Sequence, residues 1–247
     1  MPETLAITRL LNRLFGADVA SVMRVLGVHP AHPAAPFNDT FALELLVACG
    51  LIAFFIVVRL SLSVDRPNPA QQIAEMIHEF TGGQAEQVIG HGYERFQAFV
   101  TCVLLFILLN NFIGLLLGLI PGVVTPTSQP VVPLGIAVLT FLYYNFHGVR
   151  VHGVGYIKQF LGPLWWLVWL LLPIEIVSHL ARMLSLTVRL YANMLASDLL
   201  ALIAFSMIPF AIPVLALFLH FAVSIIQAYV FMLLSMIYLS QAVAHEH

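Results

Sequence analysis

The hydrophobic residues of this chain fall in long continuous blocks rather than in the alternating pattern of half-buried strands. Five of these blocks are long enough for a helix to cross a lipid bilayer, which takes about 17 to 25 residues. We therefore expect an all-α membrane protein with about five transmembrane crossings. The predicted spans cover about residues 41–64, 96–120, 131–147, 163–205 and 209–243.

The fourth and fifth blocks are longer than a perpendicular crossing requires. A helix over the whole fourth block would measure roughly 60 Å, whereas the hydrocarbon core is about 30 Å thick. The block therefore either breaks at Pro173 or lies steeply tilted. We expect the two blocks to form a pair of long, tilted, antiparallel helices.

Two more polar segments keep apolar residues at helical spacing. Residues 1–36 are predicted to form an N-terminal amphipathic segment on a membrane surface, outside a single integral-membrane domain at 37–247. Residues 70–90 are predicted to form an interfacial helix that is interrupted at Gly82 and Gly83.

Small and polar residues mark where the first two spans begin and pack. Asn38 or Asp39 is expected to cap the first span, because both residue types accept hydrogen bonds from the free N–H groups of a helix start. Gly114 and Gly118 lie four residues apart in the second span. This spacing favours a close helix-packing face rather than a chemical role.

Basic residues indicate which ends of the spans face the cytoplasm. Arg66 follows the first span, and a predicted loop with Arg150, His152 and Lys158 follows the third. The predicted turn at 121–133, between the second and third spans, has no lysine or arginine. Since cytoplasmic loops carry an excess of these residues, we expect the N-terminus outside and the C-terminus in the cytoplasm.

The composition supports the membrane assignment and excludes other classes. Hydrophobic residues make up 61% of the chain and charged residues 9%, far from the composition of soluble domains. A net charge of -2 and a single lysine exclude an extended basic surface for nucleic acid. Cys49 and Cys102 lie in separate apolar blocks without metal-ligand spacing, so we interpret both as packing residues.

A single arginine inside the fourth block is the main candidate functional residue. Arg189 lies in the apolar run 184–200, and its guanidinium stays charged at any ordinary pH. Burying it in hydrocarbon costs at least ~2.5 kcal/mol. No acid lies within one helical turn, so we expect its partner on another element or another chain. On a regular helix, Arg189 shares its face with other polar residues: Glu175, Ser178, Arg182, Ser185 and Asn193.

The last block carries a second polar stripe, with His220, Ser224 and Gln227 on one face. If the two long helices are antiparallel and Gln227 lies level with Arg189, then His220 meets Asp198, which points away from the Arg189 face. A carboxylate and an imidazole held together at low dielectric can pass protons on.

Glu175 and His179 lie on the other side of Arg189 along the same helix. These two residues predict a separate polar path that leads from the cytoplasmic face toward Arg189. The sequence therefore favours two polar half-paths that do not join, with a permanent cation between them. Structural interpretations stay open: Arg189 pairs with Asp198 or with lipid headgroups, the Asp198–His220 pair only holds two helices together, and Glu175 and His179 face interfacial water.

The motifs around these residues resemble subunit a of F-type ATP synthases. The resemblance lies in LSLTVRLYANMLASDL and in the later run LHFAVSIIQAYVFMLLSMIYLS, and it extends to NNFIGLLLGLIPG, GVRVHGVGYIKQFLGP and LPIEIVSHL. It covers the chain from about Phe41 onward. One departure is aspartate at position 198, where many members of the family have glutamate; this preserves carboxylate chemistry with a shorter reach.

The resemblance implies a non-catalytic stator subunit with no cofactor and no metal, in the inner (plasma) membrane of a bacterium. Its implied partners are a ring of small c-subunits, the peripheral-stalk subunit b, other ATP synthase subunits and membrane lipid. Arg189 would face the carboxylates of the ring. The implied proton-translocation residues besides Arg189 are Asp198, His220, Gln227 and Asn193, together with Glu175 and His179 on the cytoplasmic side.

Two other classes of protein remain as alternatives. A self-contained channel or transporter would be expected to contain internal repeats or a closed central pathway. The sequence has no strong repeat. A membrane-arm subunit of a redox complex would use Arg189 to bind a quinone or a lipid headgroup. The choice between protons and sodium ions stays open, because the residues of the ring decide it.

Overall fold

The fold was determined from a computed structural model, which describes residues 5–25, 35–64, 66–117, 125–153, 168–207 and 211–243. The described residues form helices and no strand, as the sequence predicts. The helices are α1 (Ala6–Val25), α2 (Asp39–Leu60), α3 (Pro69–Ile89), α4 (Glu94–Leu117), α5 (Val131–His152), α6 (Val168–Met207) and α7 (Ala211–Val243).

The five predicted crossings correspond to five of these helices. By length and composition, α2, α4, α5, α6 and α7 are each able to cross a membrane. Much of the surface of α2 and α6 consists of exposed large apolar side chains, which suits contact with lipid or with apolar partner helices. The protein is therefore a multi-pass membrane protein.

The two candidate caps at the start of α2 have different roles. The side chain of Asn38 accepts a hydrogen bond from the Phe41 N–H at 2.9 Å and caps α2. The Asp39 carboxylate instead accepts from the Leu5 N–H and the Thr8 hydroxyl, at the start of α1. This contact fixes the start of α1 against the start of α2. The location of α1 at a membrane surface stays a prediction.

The predicted interruption of α3 at Gly82 and Gly83 is wrong, because α3 is continuous from Pro69 to Ile89. Gly82 packs directly against α4, where an added Cβ atom would lie 2.8 Å from Nε2 of Gln97. The Gln97 amide also donates to the carbonyl of His78 at 2.7 Å. The packing of α3 against α4 thus outweighs the loss of helix stability, which is about 1 kcal/mol for each glycine in a helix relative to alanine.

Helix α5 extends beyond the predicted third span, whose boundaries in the membrane stay a prediction. Helix α5 continues to His152 and ends at Gly153, whose φ of 54° suits a glycine C-cap. Arg150 and His152 therefore lie in the last turn of α5 and not in a loop, while Lys158 lies outside the described residues. Nothing in the sequence between 147 and 153 stops a helix, so the hydrophobic block underestimates its length.

The turn before α5 contains a short 3-10 helix, Pro126–Ser128. Helix α5 already begins at Val131, because Pro133 sits in the first turn, where a helix needs no donor from it. Gly114 of α4 packs against this turn so closely that a Cβ atom would overlap the side chain of Thr125. Gly114 is therefore a close-packing position, but its partner is a turn and not a helix as predicted; Gly118 lies outside the described residues.

Helix α6 is continuous through Pro173, so the predicted alternative of a break there is wrong. Its 40 residues would extend for roughly 60 Å. Helix α7 packs along it in the antiparallel direction, since Asp198 lies beside His220 and Arg182 lies beside Tyr238. The pair of long antiparallel helices is thus confirmed, and their tilt in the membrane stays a prediction.

The core lies where α4, α5, α6 and α7 meet. Its fully buried members come mainly from the facing sides of α4, α6 and α7, and they include Ile107, Leu190, Met194, Met232 and Met236. This packing fixes the relative register of α6 and α7, the helices that carry the candidate residues.

Candidate ion-translocation site

Arg189 lies on an exposed face of α6. Within the described residues, its guanidinium makes no hydrogen bond and no ion pair, although the neighbouring Leu190 is fully buried in the core. The small residues Ser185, Ala192 and Ala196 are exposed on the same face. Small side chains allow another helix to approach closely, so this face is suited to a partner that brings its own carboxylate.

Asp198 and His220 meet between α6 and α7. Oδ1 of Asp198 lies 3.4 Å from Nδ1 of His220, and the side chains are 23% and 3% exposed. The predicted juxtaposition of these two residues is therefore confirmed. Oδ1 of Asp198 also accepts a hydrogen bond from the Thr125 hydroxyl at 2.9 Å. The carboxylate of Asp198 thus contacts both an imidazole and a hydroxyl group at one partly buried site.

A second set of buried polar contacts lies next to this pair. Asn111 of α4 accepts from the Thr127 hydroxyl and donates to the carbonyl of Ser224 at 3.3 Å. Oδ2 of Asp198 and the hydroxyl oxygen of Ser224 are buried and have no hydrogen-bond partner among the described residues. Buried polar atoms are normally satisfied by protein or by ordered water, so this cluster is suited to hydrogen-bond water molecules.

Thr125, Thr127 and Asn111 were missed by the sequence reasoning. The signal for Asn111 was an Asn–Asn pair inside an apolar block, which is costly in a membrane unless it is hydrogen-bonded. No comparable signal exists for the threonines, because the fold alone brings their turn to α6.

Asn193 and Gln227 line one open cavity of about 270 Å³ between α6 and α7. Ser197 adds a third polar side chain, and the remaining lining is apolar. Asn193 and Gln227 thus face the same cavity. The level of Gln227 relative to Arg189 stays a prediction.

Glu175 and His179 form a contact on the other side of Arg189. Nε2 of His179 lies 3.3 Å from Oε1 of Glu175, and Nδ1 lies 2.8 Å from the hydroxyl oxygen of Tyr144 on α5. Along α6, Glu175 is roughly 21 Å from Arg189, and Asp198 is roughly 13 Å from it in the opposite direction. The structure therefore places two separate polar clusters on opposite sides of the exposed cation.

In the described ranges, no group of three or more His, Cys, Asp or Glu side chains is arranged to hold a metal ion. Carboxylates, imidazoles and hydroxyls, which these clusters contain, are groups that can exchange protons with water.

The fold defines a polytopic helical membrane protein, and ionisable residues inside membrane spans are candidates for an ion pathway. Comparison with known proteins gives the family. The family model of the ATP synthase A chain matches residues 41–240. The chain is 47% identical to ATP synthase subunit a of Koribacter versatilis (strain Ellin345), with 100% of both chains covered. This chain belongs to the ATP synthase subunit a family, as its motifs indicated.

Two further relatives agree with this assignment. ATP synthase subunit a of Solibacter usitatus (strain Ellin6076) is 41% identical, covering 96% of this chain and 99% of that protein. The subunit a of Solidesulfovibrio magneticus is 38% identical, covering 85% of this chain and 90% of that protein. The family assignment disfavours the alternatives of a self-contained transporter and of a redox-complex subunit.

Proposed function

We propose that this chain is the proton-translocating stator subunit of a rotary ATP synthase, without a catalytic step of its own. It would pass protons to and from a ring of small c-subunits through two offset half-channels. The observation that supports this most is the exposed Arg189, which lies on a small-residue face of α6 between two separate polar clusters.

Arg189 acts as the fixed counter-charge of the ring. A deprotonated carboxylate on a ring subunit is stable in lipid only opposite a cation, because an unpaired buried charge costs several kcal/mol. Arg189 therefore allows a ring site to lose its proton as it passes. The same charge repels protons that would move directly from one half-channel to the other, so net proton flow requires the ring to turn.

The cluster of Asp198, His220 and Thr125 forms the outer half-channel. A proton from outside water binds to the Asp198–His220 pair, and the next transfer delivers it along the side of Asn193 and Gln227 to a ring carboxylate. The membrane potential contributes about 2.3 kcal/mol per proton per 100 mV to this movement. No covalent bond other than those to the proton changes.

Glu175 and His179 form the cytoplasmic half-channel. After almost a full turn, a ring carboxylate reaches this side and loses its proton to the Glu175–His179 cluster, from which it passes to cytoplasmic water. During ATP-driven pumping the same groups work in reverse and take protons up. Arg150 in the last turn of α5 supports a cytoplasmic location for this end, by the excess of basic residues there.

The proposed location is the inner membrane of a bacterium, with the N-terminus outside and the C-terminus in the cytoplasm. The relatives described above come from bacteria, and the five candidate crossings among the described residues, an odd number, would place the two termini on opposite sides. The proposed partners are the c-ring, the peripheral-stalk subunit b and the other subunits of the complex.

Cysteine cross-linking in the assembled complex tests the docking face. The native Cys49 and Cys102 are first replaced by serine, since both are exposed in this chain and are not packing residues of its core, contrary to the prediction. Ala196→Cys, on the Arg189 face, should form a disulfide with a cysteine placed beside the ring carboxylate. The control Leu184→Cys, exposed on a different face of α6, should not. Failure of Ala196→Cys to form this cross-link, whether or not Leu184→Cys forms one, would refute the proposed function.

A further inference from the structure

A tyrosine on a neighbouring helix holds the cytoplasmic acid–histidine pair. The hydroxyl of Tyr144, a residue only 2% exposed, lies 2.8 Å from Nδ1 of His179. The two rings also stack, with centroids 5.9 Å apart and planes inclined by 22°. The other ring nitrogen of His179 lies 3.3 Å from Glu175, so each nitrogen of the imidazole has a polar contact.

Aromatic rings enclose this imidazole on further sides. The ring of Phe141 packs edge-on against His179 at 6.2 Å. The guanidinium of Arg182 lies 5.4 Å from the ring of Tyr238 on α7, which in turn packs against Tyr144. Arg182 and Tyr238 are therefore two further charged or titratable groups beside the cluster.

His147 lies one turn further along α5, but its contacts differ. Its ring packs against Phe96 and Tyr143. It is therefore not a direct partner of the Glu175–His179 contact, and Tyr144 is the member of α5 that reaches His179.

The hydroxyl of Tyr144 is able to satisfy both neutral forms of this imidazole. When Glu175 is ionised, it accepts from Nε2–H, and Nδ1 must then accept from a donor. When Glu175 carries a proton, it donates to Nε2, and Nδ1–H must find an acceptor. A tyrosine hydroxyl is both donor and acceptor, so it serves in both states by rotating its O–H bond. Phenylalanine could do neither.

We propose that Tyr144 is a positioning residue of the cytoplasmic half-channel. Its hydroxyl holds His179 with Nε2 toward Glu175 in both protonation states of that carboxylate. A proton taken from cytoplasmic water by Glu175 then leaves toward the ring carboxylate, and the imidazole does not turn away between the two transfers. This role rests on the function proposed above.

The test compares two adjacent tyrosines in the assembled complex in inverted membrane vesicles, where the cytoplasmic face meets the medium. Tyr144→Phe removes the hydroxyl that contacts His179. Tyr143→Phe is the matched control, because the Tyr143 ring stacks on Phe99 at 3.8 Å and its hydroxyl makes no hydrogen bond within the described residues. ATP-driven proton uptake is measured per assembled complex across a range of medium pH.

Tyr144→Phe should slow uptake about fivefold at alkaline pH, the loss that corresponds to one ordinary hydrogen bond. At acidic pH the rate should approach that of the parent protein, because abundant protons then reach Glu175 without a positioned relay. Tyr143→Phe should match the parent protein at every pH. An equal loss at all pH values indicates a merely structural role and overturns the proposal, as does a Tyr144→Phe profile like that of the control.

A double variant provides a second measurement. If Tyr144 acts through His179, Tyr144→Phe should change the rate less than about twofold in a His179→Gln background, because coupled residues are not additive. Independent, multiplicative effects would overturn the proposal, and so would a Tyr144→Phe chain that fails to assemble. Failure of the Ala196→Cys cross-link would instead refute the proposed function itself, so the two failures are distinguishable.

Discussion

Oδ1 of Asp198 lies 3.4 Å from Nδ1 of His220, and the same oxygen accepts the Thr125 hydroxyl at 2.9 Å. The two residues belong to different helices and are brought together by the antiparallel packing of α6 and α7. The Asp198–His220 pair lies on the opposite side of Arg189 from Glu175. A proton bound to this pair is therefore separated from the Glu175–His179 cluster.

Replacing Asp198 tests whether its charge carries protons. Asp198→Asn keeps the size of the side chain but can no longer release a proton, so passive proton flux through the membrane sector should fall at least about tenfold. The control Asp198→Glu keeps the carboxylate and should retain most of the flux. The measurement is proton flux into vesicles stripped of the catalytic head. Unchanged flux in Asp198→Asn would leave Asp198 with only a structural role.

The hydroxyl of Thr125 is predicted to affect proton transfer by the Asp198 carboxylate. Thr125→Val keeps the shape and removes the hydroxyl, so Asp198 loses one hydrogen bond and flux should change about fivefold. Thr140→Val is the matched control, because the buried Thr140 hydroxyl donates only to the Ile136 carbonyl of its own helix. Equal effects of the two variants would show that the loss of any buried hydroxyl changes the flux, and would contradict a specific role of Thr125.

Gly114 is predicted to set the position of the turn that carries Thr125. Gly114→Ala would place a methyl group into the Thr125 side chain, and overpacking of this kind costs about 1–3 kcal/mol. The purified complex should therefore inactivate at a lower temperature. Gly83→Ala is the control: nothing lies within 4 Å of its added Cβ atom, and alanine favours a helix. Equal thermal stability of both variants would contradict the packing account.

The sequence predicts those features that hydrophobic length and helical periodicity determine. The spans follow from the lengths of the apolar blocks, and the Asp198–His220 contact follows from register once α6 and α7 are antiparallel. The face of Arg189 follows from the same periodicity. Whether that face meets a ring is a matter for the assembled complex and stays a prediction.

Features that depend on tertiary packing could not be predicted. Thr125 reaches Asp198 because the turn at 126–128 packs under α4 at Gly114, a contact between distant parts of the chain. Tyr144 reaches His179 because of the register between α5 and α6. Helix α3 passes through two glycines because α4 supports it, and local propensity alone favours a break.

Arg189→Ala is the most direct test of the central claim that a permanent cation separates two proton paths. In inverted vesicles with an assembled complex, the account predicts that this variant abolishes ATP-driven proton pumping. The control Arg59→Ala, which removes an exposed arginine from the end of α2, should pump normally. Normal coupled pumping by Arg189→Ala would contradict the account.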